Sequence, residues 1–268
     1  MRRLNLLLGI VLIGLVSLAA VISFIWLPHD PNHIDFAVQL QPPSGTYPLG
    51  TDNFGRDLLS RLLVGARGTL FVGFIAVGIA LTVGGTLGAT AGYLGGAIDE
   101  LFMRIADVLY AFPPLLMAIL LAAIYGPGTL TAMIAIGIAT VPVFSRLMRA
   151  SVLGVKHTDY VEAGRALGAR TRRVVFRHVL PNAVSPIIVQ ASLSLAVAVL
   201  AEAALSFLGL GTPPRTPSWG TMLREAQGFM ALSPYPALVP GIAIVLTVLG
   251  WSLLGDGLRD RLDPRARR

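Results

Sequence analysis

Few side chains in this chain could carry out chemistry inside its long apolar segments. The sequence has no cysteine, and its four histidines all lie outside those segments: His29, His33, His157 and His178. A transition-metal site there would need thiolate or imidazole ligands, and a serine hydrolase would need a histidine base. The only lysine, Lys156, follows Val155 and cannot complete a Gly-Lys-Ser/Thr phosphate-binding loop. The sequence therefore predicts no metal site or hydrolase in these segments and no nucleotide site of its own.

Glu202 is the one carboxylate that stands inside an apolar run. A charge at mid-membrane costs about 2.5–3.5 kcal/mol, less near the edge, so such residues usually face a cavity or a partner. Counting about 1.5 Å per residue from Asn182 places Glu202 about 30 Å along a helix, near the outer hydrocarbon boundary. Two interpretations stay open, a side chain that snorkels to the outer surface and a residue of an outer gate or solute pathway.

A long polar segment, residues 160–181, lies between two apolar runs of membrane-spanning length. Asp159 and Glu162, three residues apart, predict a helix N-cap with its reciprocal partner. Gly164 and Gly168, four apart, would share a helix face and leave a shallow notch for another molecule, since each costs about 1 kcal/mol relative to alanine. The alternative is a solvated interfacial helix in which Glu162 only caps the end.

Composition indicates a membrane protein. Hydrophobic residues make up 54% of the chain and charged residues only 13%, against about 25% charged residues in soluble domains. Six apolar runs are long enough to cross a bilayer: residues 4–27, 70–93, 108–125, 130–148, 182–208 and 237–254. A cleaved signal peptide is the alternative for the first run, but such peptides have a shorter apolar region of about 7–15 residues. We expect an uncleaved first transmembrane helix.

Two patterns predict how the spans are arranged. Gly84, Gly88 and Gly92 repeat on one face of the second span, which predicts close packing against a helix of the same or a sister chain. Pro113-Pro114 interrupts the third span. Because proline frees backbone carbonyls, we expect this span to be kinked and to face the protein interior or a wet cavity.

The connection between the first two spans, residues 28–69, is polar and rich in proline and glycine. Its last part, residues 52–67, is amphipathic and predicts a surface helix ahead of the second span. Its charged residues Asp52, Arg56, Asp57 and Arg61 could bind a ligand. The plainer interpretation is an ordinary i,i+4 ion pair between Asp57 and Arg61 on that helix.

The basic residues predict the orientation of the chain. If the N-terminus is cytoplasmic, 16 of the 21 lysines and arginines fall on the cytoplasmic side. Cytoplasmic loops of membrane proteins carry this excess. We therefore expect both termini and the 160–181 segment in the cytoplasm, and the net charge of +7 needs no nucleic acid to explain it.

The polar segment also resembles a known family. Residues 162–164 (Glu-Ala-Gly), Gly168 and Leu180-Pro181 are similar to the Glu-Ala-Ala…Gly…Ile-x-Leu-Pro loop of ATP-binding-cassette (ABC) importer permeases. Gly164 replaces the second alanine and His178 replaces isoleucine. Further similar segments are residues 49–61, 202–211 and 255–264, and the longer pattern resembles the second permease type of the dipeptide, oligopeptide and nickel branch.

This resemblance implies an all-α, polytopic fold with six transmembrane helices, the type I ABC importer transmembrane domain. It implies an N-terminal helix and periplasmic segment (residues 1–69), a transmembrane domain (residues 70–256) and a cytoplasmic tail (residues 257–268). It also implies a cytoplasmic coupling helix near residues 160–170 that docks on an ATPase. The contact residues carried over are Tyr160, Glu162, Ala163, Gly164, Ala166, Leu167, Gly168, Leu180 and Pro181.

The implied protein is a permease subunit, not an enzyme, of a bacterial inner-membrane importer for peptides or nickel. Its implied partners are a sister permease, two cytoplasmic ATPases that bind ATP and magnesium, an extracytoplasmic binding protein and membrane lipid. No cofactor is expected in this chain. The alternatives are an autonomous secondary transporter or channel, which calls for titratable groups at the membrane midplane, and a membrane scaffold.

Overall fold

The computed structural model describes residues 2–213 and 215–262, and within these ranges every regular element is helical. An isolated bridge between Thr51 and Asp57 is the only pairing of extended backbone there. The helices are α1 (Arg2–Ile25), α2 (Leu58–Leu94), α3 (Gly96–Ala111), α4 (Pro114–Tyr125), α5 (Thr129–Lys156), α6 (Asp159–Ala166), α7 (Thr171–Val174), α8 (Leu180–Ala183), α9 (Ser185–Phe207), α10 (Trp219–Ala226) and α11 (Tyr235–Leu262).

Five of these helices are long and apolar enough to cross a membrane: α1, α2, α5, α9 and α11. The predicted total of six is reached when α3 and α4, which meet at 86°, count as one broken span. The third span predicted at residues 108–125 is wrong in its boundary, because residues 108–111 belong to α3. Pro114 keeps Pro113 extended, with ψ 133°, and then begins α4 at a position where a missing N–H costs nothing.

The surface helix predicted at residues 52–67 is not a separate element. Asp57 accepts hydrogen bonds from the N–H groups of Leu59 and Ser60 and so caps α2, which continues unbroken for 37 residues to Leu94. At about 1.5 Å per residue, α2 is about 55 Å long and exceeds the roughly 30 Å hydrocarbon layer. Its first turns therefore carry the second span out of the membrane.

The glycine face of α2 packs on α5, as its spacing predicts. A Cβ added to Gly84, Gly88 or Gly92 would lie within 3.0 Å of a carbonyl oxygen, those of Val141, Ser145 and Arg149 in turn. These carbonyls also repeat every four residues, so the two backbones run in contact over two helical turns. The partner helix is in the same chain, and the glycine face consequently gives no support to a sister subunit.

The other predicted boundaries shift by a few residues. α5 continues beyond Met148 to Lys156, and α9 begins at Ser185 because a short helix, α8, occupies the preceding turn. α11 extends through Leu262, so the segment expected to be a tail begins inside a helix, and its residues 263–268 lie outside the described ranges. α1 packs against α11 where Gly9 meets the backbone of Leu254.

Candidate functional site

α6 projects from the end of α5 and presents most of its surface to solvent. Val161 is its buried contact with the rest of the chain. Thr158, not Asp159, precedes the helix; its hydroxyl donates to the Val155 carbonyl instead of capping, so the predicted N-cap is wrong by one residue. Asp159 and Glu162 instead occupy the first turn, where their carboxylates face the positive end of the helix dipole.

Gly168 ends this helix and does not line a notch on it. It has φ +78°, its N–H donates to the Arg165 carbonyl at 2.9 Å, and the following Ala169 N–H donates to the Gly164 carbonyl at 3.1 Å. This double hydrogen bond is the Schellman motif, which places glycine just beyond a helix end. The predicted two-glycine notch is therefore wrong. Gly164 alone is helical, and nothing lies within 4 Å of a Cβ built on it.

An exposed leucine stands between α6 and its terminating glycine. Leu167 is 89% exposed, and Tyr160 at the other end of the helix is 46% exposed. Ala163 and Ala166 are exposed on the same short helix, whereas Gly164 is half-buried. The loop thus offers a small apolar surface outside the bundle.

The return segment brings the Leu-Pro pair back to the bundle. Val174 and Val179 are fully buried and hold it there, and between them the backbone widens into one π turn over Val175–Val179. Pro181 has no N–H to donate, so the regular hydrogen-bond pattern of an α-helix could not continue through this position. Leu180 is half-buried and Pro181 exposed, beside the base of α9.

Two cationic contacts tie this end of the bundle together. The Arg165 guanidinium of α6 lies over the ring of Tyr93, 5.5 Å from its centroid, near the end of α2. Arg149 of α5 donates through both Nε and Nη2 to the carboxylate of Asp99 in α3, with Nη2–Oδ2 at 2.6 Å. Arg165 therefore links α6 to α2, and the Arg149–Asp99 pair links α5 to α3.

Glu202 is enclosed within the chain, so the snorkelling interpretation is wrong. It is 1% exposed. Ser206 donates to its Oε1 at 2.8 Å, and the hydroxyls of Thr212 and Thr69 lie 3.4 Å from Oε1 and Oε2. The loop after α9 folds back over this site, where Gly211 packs closely on Ser206. Thr69 belongs to another helix, and no local sequence pattern identifies it.

A charged cluster at the opposite end of α2 brings together Asp52, Arg56 and Arg61, three of the four charged residues that the sequence offered as a possible binding group, with Glu225, which the sequence did not suggest. Arg61 is 3% exposed and donates to Glu225 of α10, Nη2–Oε2 2.9 Å, while its Nε lies 3.5 Å from Asp52. Arg56 joins the same two carboxylates at 2.5 and 2.7 Å. Asp57 caps α2 instead, so the ordinary Asp57–Arg61 pair expected from the spacing is wrong.

The fold is shared with solved transporter structures. An inward-facing form of the MetNI methionine ABC transporter superposes with a TM-score of 0.61 over 76% of this chain and 96% of that chain, at 19% identity. An amino acid ABC transporter crystallised with histidines gives 0.58 over 75% and 94%, at 18% identity. The class defined by this fold is the type I ABC importer transmembrane domain.

Residues 84–268 match the family described as binding-protein-dependent transport system inner membrane component, and the chain belongs to that family. It is accordingly a multi-pass permease subunit of an ABC importer, a transport component that works with separate ATPase and substrate-binding partners. This membership replaces the alternatives of an autonomous secondary transporter, a channel or a scaffold.

Two named relatives cover most of the chain. The chain is 48% identical to the dipeptide transport system permease protein DppC of Alkalihalophilus pseudofirmus, over 85% of this chain and 75% of that protein. It is 42% identical to the glutathione transport system permease protein GsiD of Pectobacterium atrosepticum, over 97% of this chain and 86% of that protein.

Proposed function

We propose that this permease subunit imports short peptides. The observation that carries the proposal is the 48% identity to a dipeptide permease over 85% of the chain. The relative named for glutathione supports the same substrate class, because glutathione is itself a small peptide. These names favour peptides over nickel, the other cargo of the branch that the sequence resembles. Uptake of radiolabelled di- and tripeptides by cells with and without the gene tests this, and unchanged peptide uptake in the deletion strain would contradict it.

The docking of α6 on a cytoplasmic ATPase is the proposed route of coupling, with ATP and magnesium held by that partner. The exposed Leu167 and the lone buried anchor Val161 support it, since an apolar side chain on a projecting helix suits a partner surface. The contacts of Arg165 with Tyr93 and of Arg149 with Asp99 would pass motion of the docked helix into the bundle. Alternating access of the pathway follows from that motion.

Leu167→Asn tests the docking directly. Burying a leucine in an interface contributes about 1.5–3 kcal/mol, so its loss should weaken ATPase binding roughly tenfold or more. The amount of ATPase co-purified with the permease measures the effect, and Leu167→Met is the control because it keeps an apolar side chain of similar volume. Equal co-purification of the asparagine variant would rule out docking through Leu167.

A sister permease is proposed to complete the pathway, on the strength of the resemblance to heteromeric peptide importers. A cavity of about 560 Å³ near the base of the bundle is partly polar, with Asn182, Ser185, Gln190 and Arg259 in its wall. It is suited to form one side of an inward-opening vestibule. Transport reconstituted from this permease and ATPases alone, without a second permease, would contradict the heteromer.

Both termini are proposed to be cytoplasmic. Leu6 of α1 packs against Gly257 of α11, which supports an arrangement with both chain ends on one side of the membrane. The basic residues favour the cytoplasm for that side. Reporter fusions after residue 268 and within residues 209–236 should report opposite sides, and identical signals from both fusions would contradict the arrangement.

A further inference from the structure

A cleft of about 210 Å³ opens beside the charged cluster at the start of α2. Its wall combines the 28–57 connection, the first turns of α2, and α10 with the loop before it. The cleft lies at the end of α2 remote from α6, so it faces outward if α6 is cytoplasmic. A cleft of this volume admits a chain end or one side chain but not a folded domain.

Four arginines contribute to this cleft: Arg56, Arg61, Arg215 and Arg224. The first two share the carboxylates of Asp52 and Glu225, so two positive charges meet two negative charges. Arg215 and Arg224 are exposed, and in the parts of the chain that the structure describes neither has a carboxylate within 4.0 Å. The cleft therefore carries an excess of two positive charges.

Three of the four arginines make contacts that restrict their side chains. Arg61 is nearly fully buried, and the guanidinium of Arg56 lies over the ring of Phe54, 4.6 Å from its centroid. Arg224 has its Nη1 against Gly209, where a Cβ would lie 2.5 Å away and where φ is +82°. A side chain at position 209 would push this guanidinium aside. Fixed guanidinium groups lose little freedom on binding and match the planar geometry of a carboxylate.

We propose that this cleft binds the C-terminal carboxylate of a short peptide on the outer side of the permease. The inference rests on the proposed peptide cargo. An unpaired carboxylate is what two free guanidinium groups would recognise, and a chain end is narrow enough to reach into a cleft of this size. An acidic side chain on a folded protein can enter the cleft only by its own length, because the surface that carries it is too large to follow. The permease would thus bind the peptide weakly itself, after the binding protein has released the peptide.

A binding measurement made without the binding protein tests whether this cleft itself binds a peptide. The permease–ATPase complex in lipid nanodiscs, without binding protein, is titrated with trialanine and with trialanine amide, and saturation-transfer NMR reports binding. A charge-assisted hydrogen bond contributes enough for about tenfold in affinity. We expect the amide to bind about tenfold more weakly, and Arg215→Gln/Arg224→Gln to lose about tenfold or more for trialanine while changing the amide little. Arg104→Gln, which removes an arginine that is 75% exposed and pairs only with Glu100 in the described chain, should bind as the unmodified complex does.

Equal binding of acid and amide, or equal binding by the double variant and the unmodified complex, would overturn the proposal. A second titration measures the affinity of the binding protein for the same nanodiscs. If the double variant weakens that affinity and leaves trialanine binding unchanged, the carboxylate belongs to the binding protein, which also overturns the proposal. If the proposed peptide import were itself wrong, peptide uptake by cells would not depend on the gene. That experiment is independent of the binding titration, so the two failures are distinguishable.

Discussion

The ammonium group of Lys156, at the end of α5, donates to the carbonyl of Gly92 at 3.0 Å and lies 3.4 Å from that of Tyr93, in the last turn of α2. These carbonyls have no partners within their own helix end, and a cation there also offsets the negative end of the helix dipole. The only lysine of the chain thus joins the two most extensively packed helices directly beside α6.

Lys156→Met should loosen this junction. The lost interaction is worth about 0.3–1 kcal/mol, so overall unfolding should change little while local opening of α6 increases. Hydrogen exchange of the amides in residues 159–167 measures the opening. Lys156→Arg, which keeps the positive charge, should exchange as slowly as the unmodified protein. The same exchange rate in the methionine variant would contradict a role for this contact in holding α6.

Gly88→Ala should destabilise the permease because the new methyl group would meet the Ser145 carbonyl and the Met148 side chain. Overpacking of this kind costs about 1–3 kcal/mol. Gly78→Ala is the matched control on the same helix, since its Cβ would meet nothing within 4 Å and alanine favours the helix by about 1 kcal/mol. Thermal unfolding of the purified complex should separate the two variants, and equal melting temperatures would contradict the packing.

Gly168→Ala should impair coupling without removing the protein from the membrane. A side chain at φ +78° costs about 1–2 kcal/mol, so the end of α6 and the position of Leu167 should shift. Gly164→Ala is the control, because it is helical with open space at its Cβ. Peptide-stimulated ATPase activity of the reconstituted importer should fall only in the first variant, and equal loss in both would point to direct contact at Gly164.

Glu202 should tolerate glutamine and not leucine. An amide can accept from Ser206 and donate to Thr69, whereas leucine leaves these buried hydroxyls without their partner at about 1–3 kcal/mol. Thermal unfolding distinguishes the two substitutions. Transport by the glutamine variant separately tests the other interpretation of Glu202, a residue of an outer gate or solute pathway. A folded variant with slowed uptake would support that interpretation, and normal uptake would leave Glu202 as a packing residue.

The spacing of residues along the sequence was enough to predict some of these structural features and not others. The glycine repeat of α2 predicted a helix contact because all the glycines that form the contact face lie within one segment of the sequence. The partner of Arg61 could not be predicted, since Glu225 lies 164 residues away and both spacing and charge also fitted Asp57. Gly168 was misplaced because the sequence does not distinguish a glycine inside a helix from one just past its end; only the backbone angle does.

The continuity of α2 has a mechanical consequence. A single helix of 37 residues connects the arginine cleft at one end with Tyr93, under α6, at the other. A rod of about 55 Å that pivots by about 5° near one end displaces the far end by about 5 Å, the rise of one helical turn. A rotation imposed at the Tyr93 end would therefore displace the arginines at the other end by a distance large enough to open or close a cleft of their size, with no hinge required between the two.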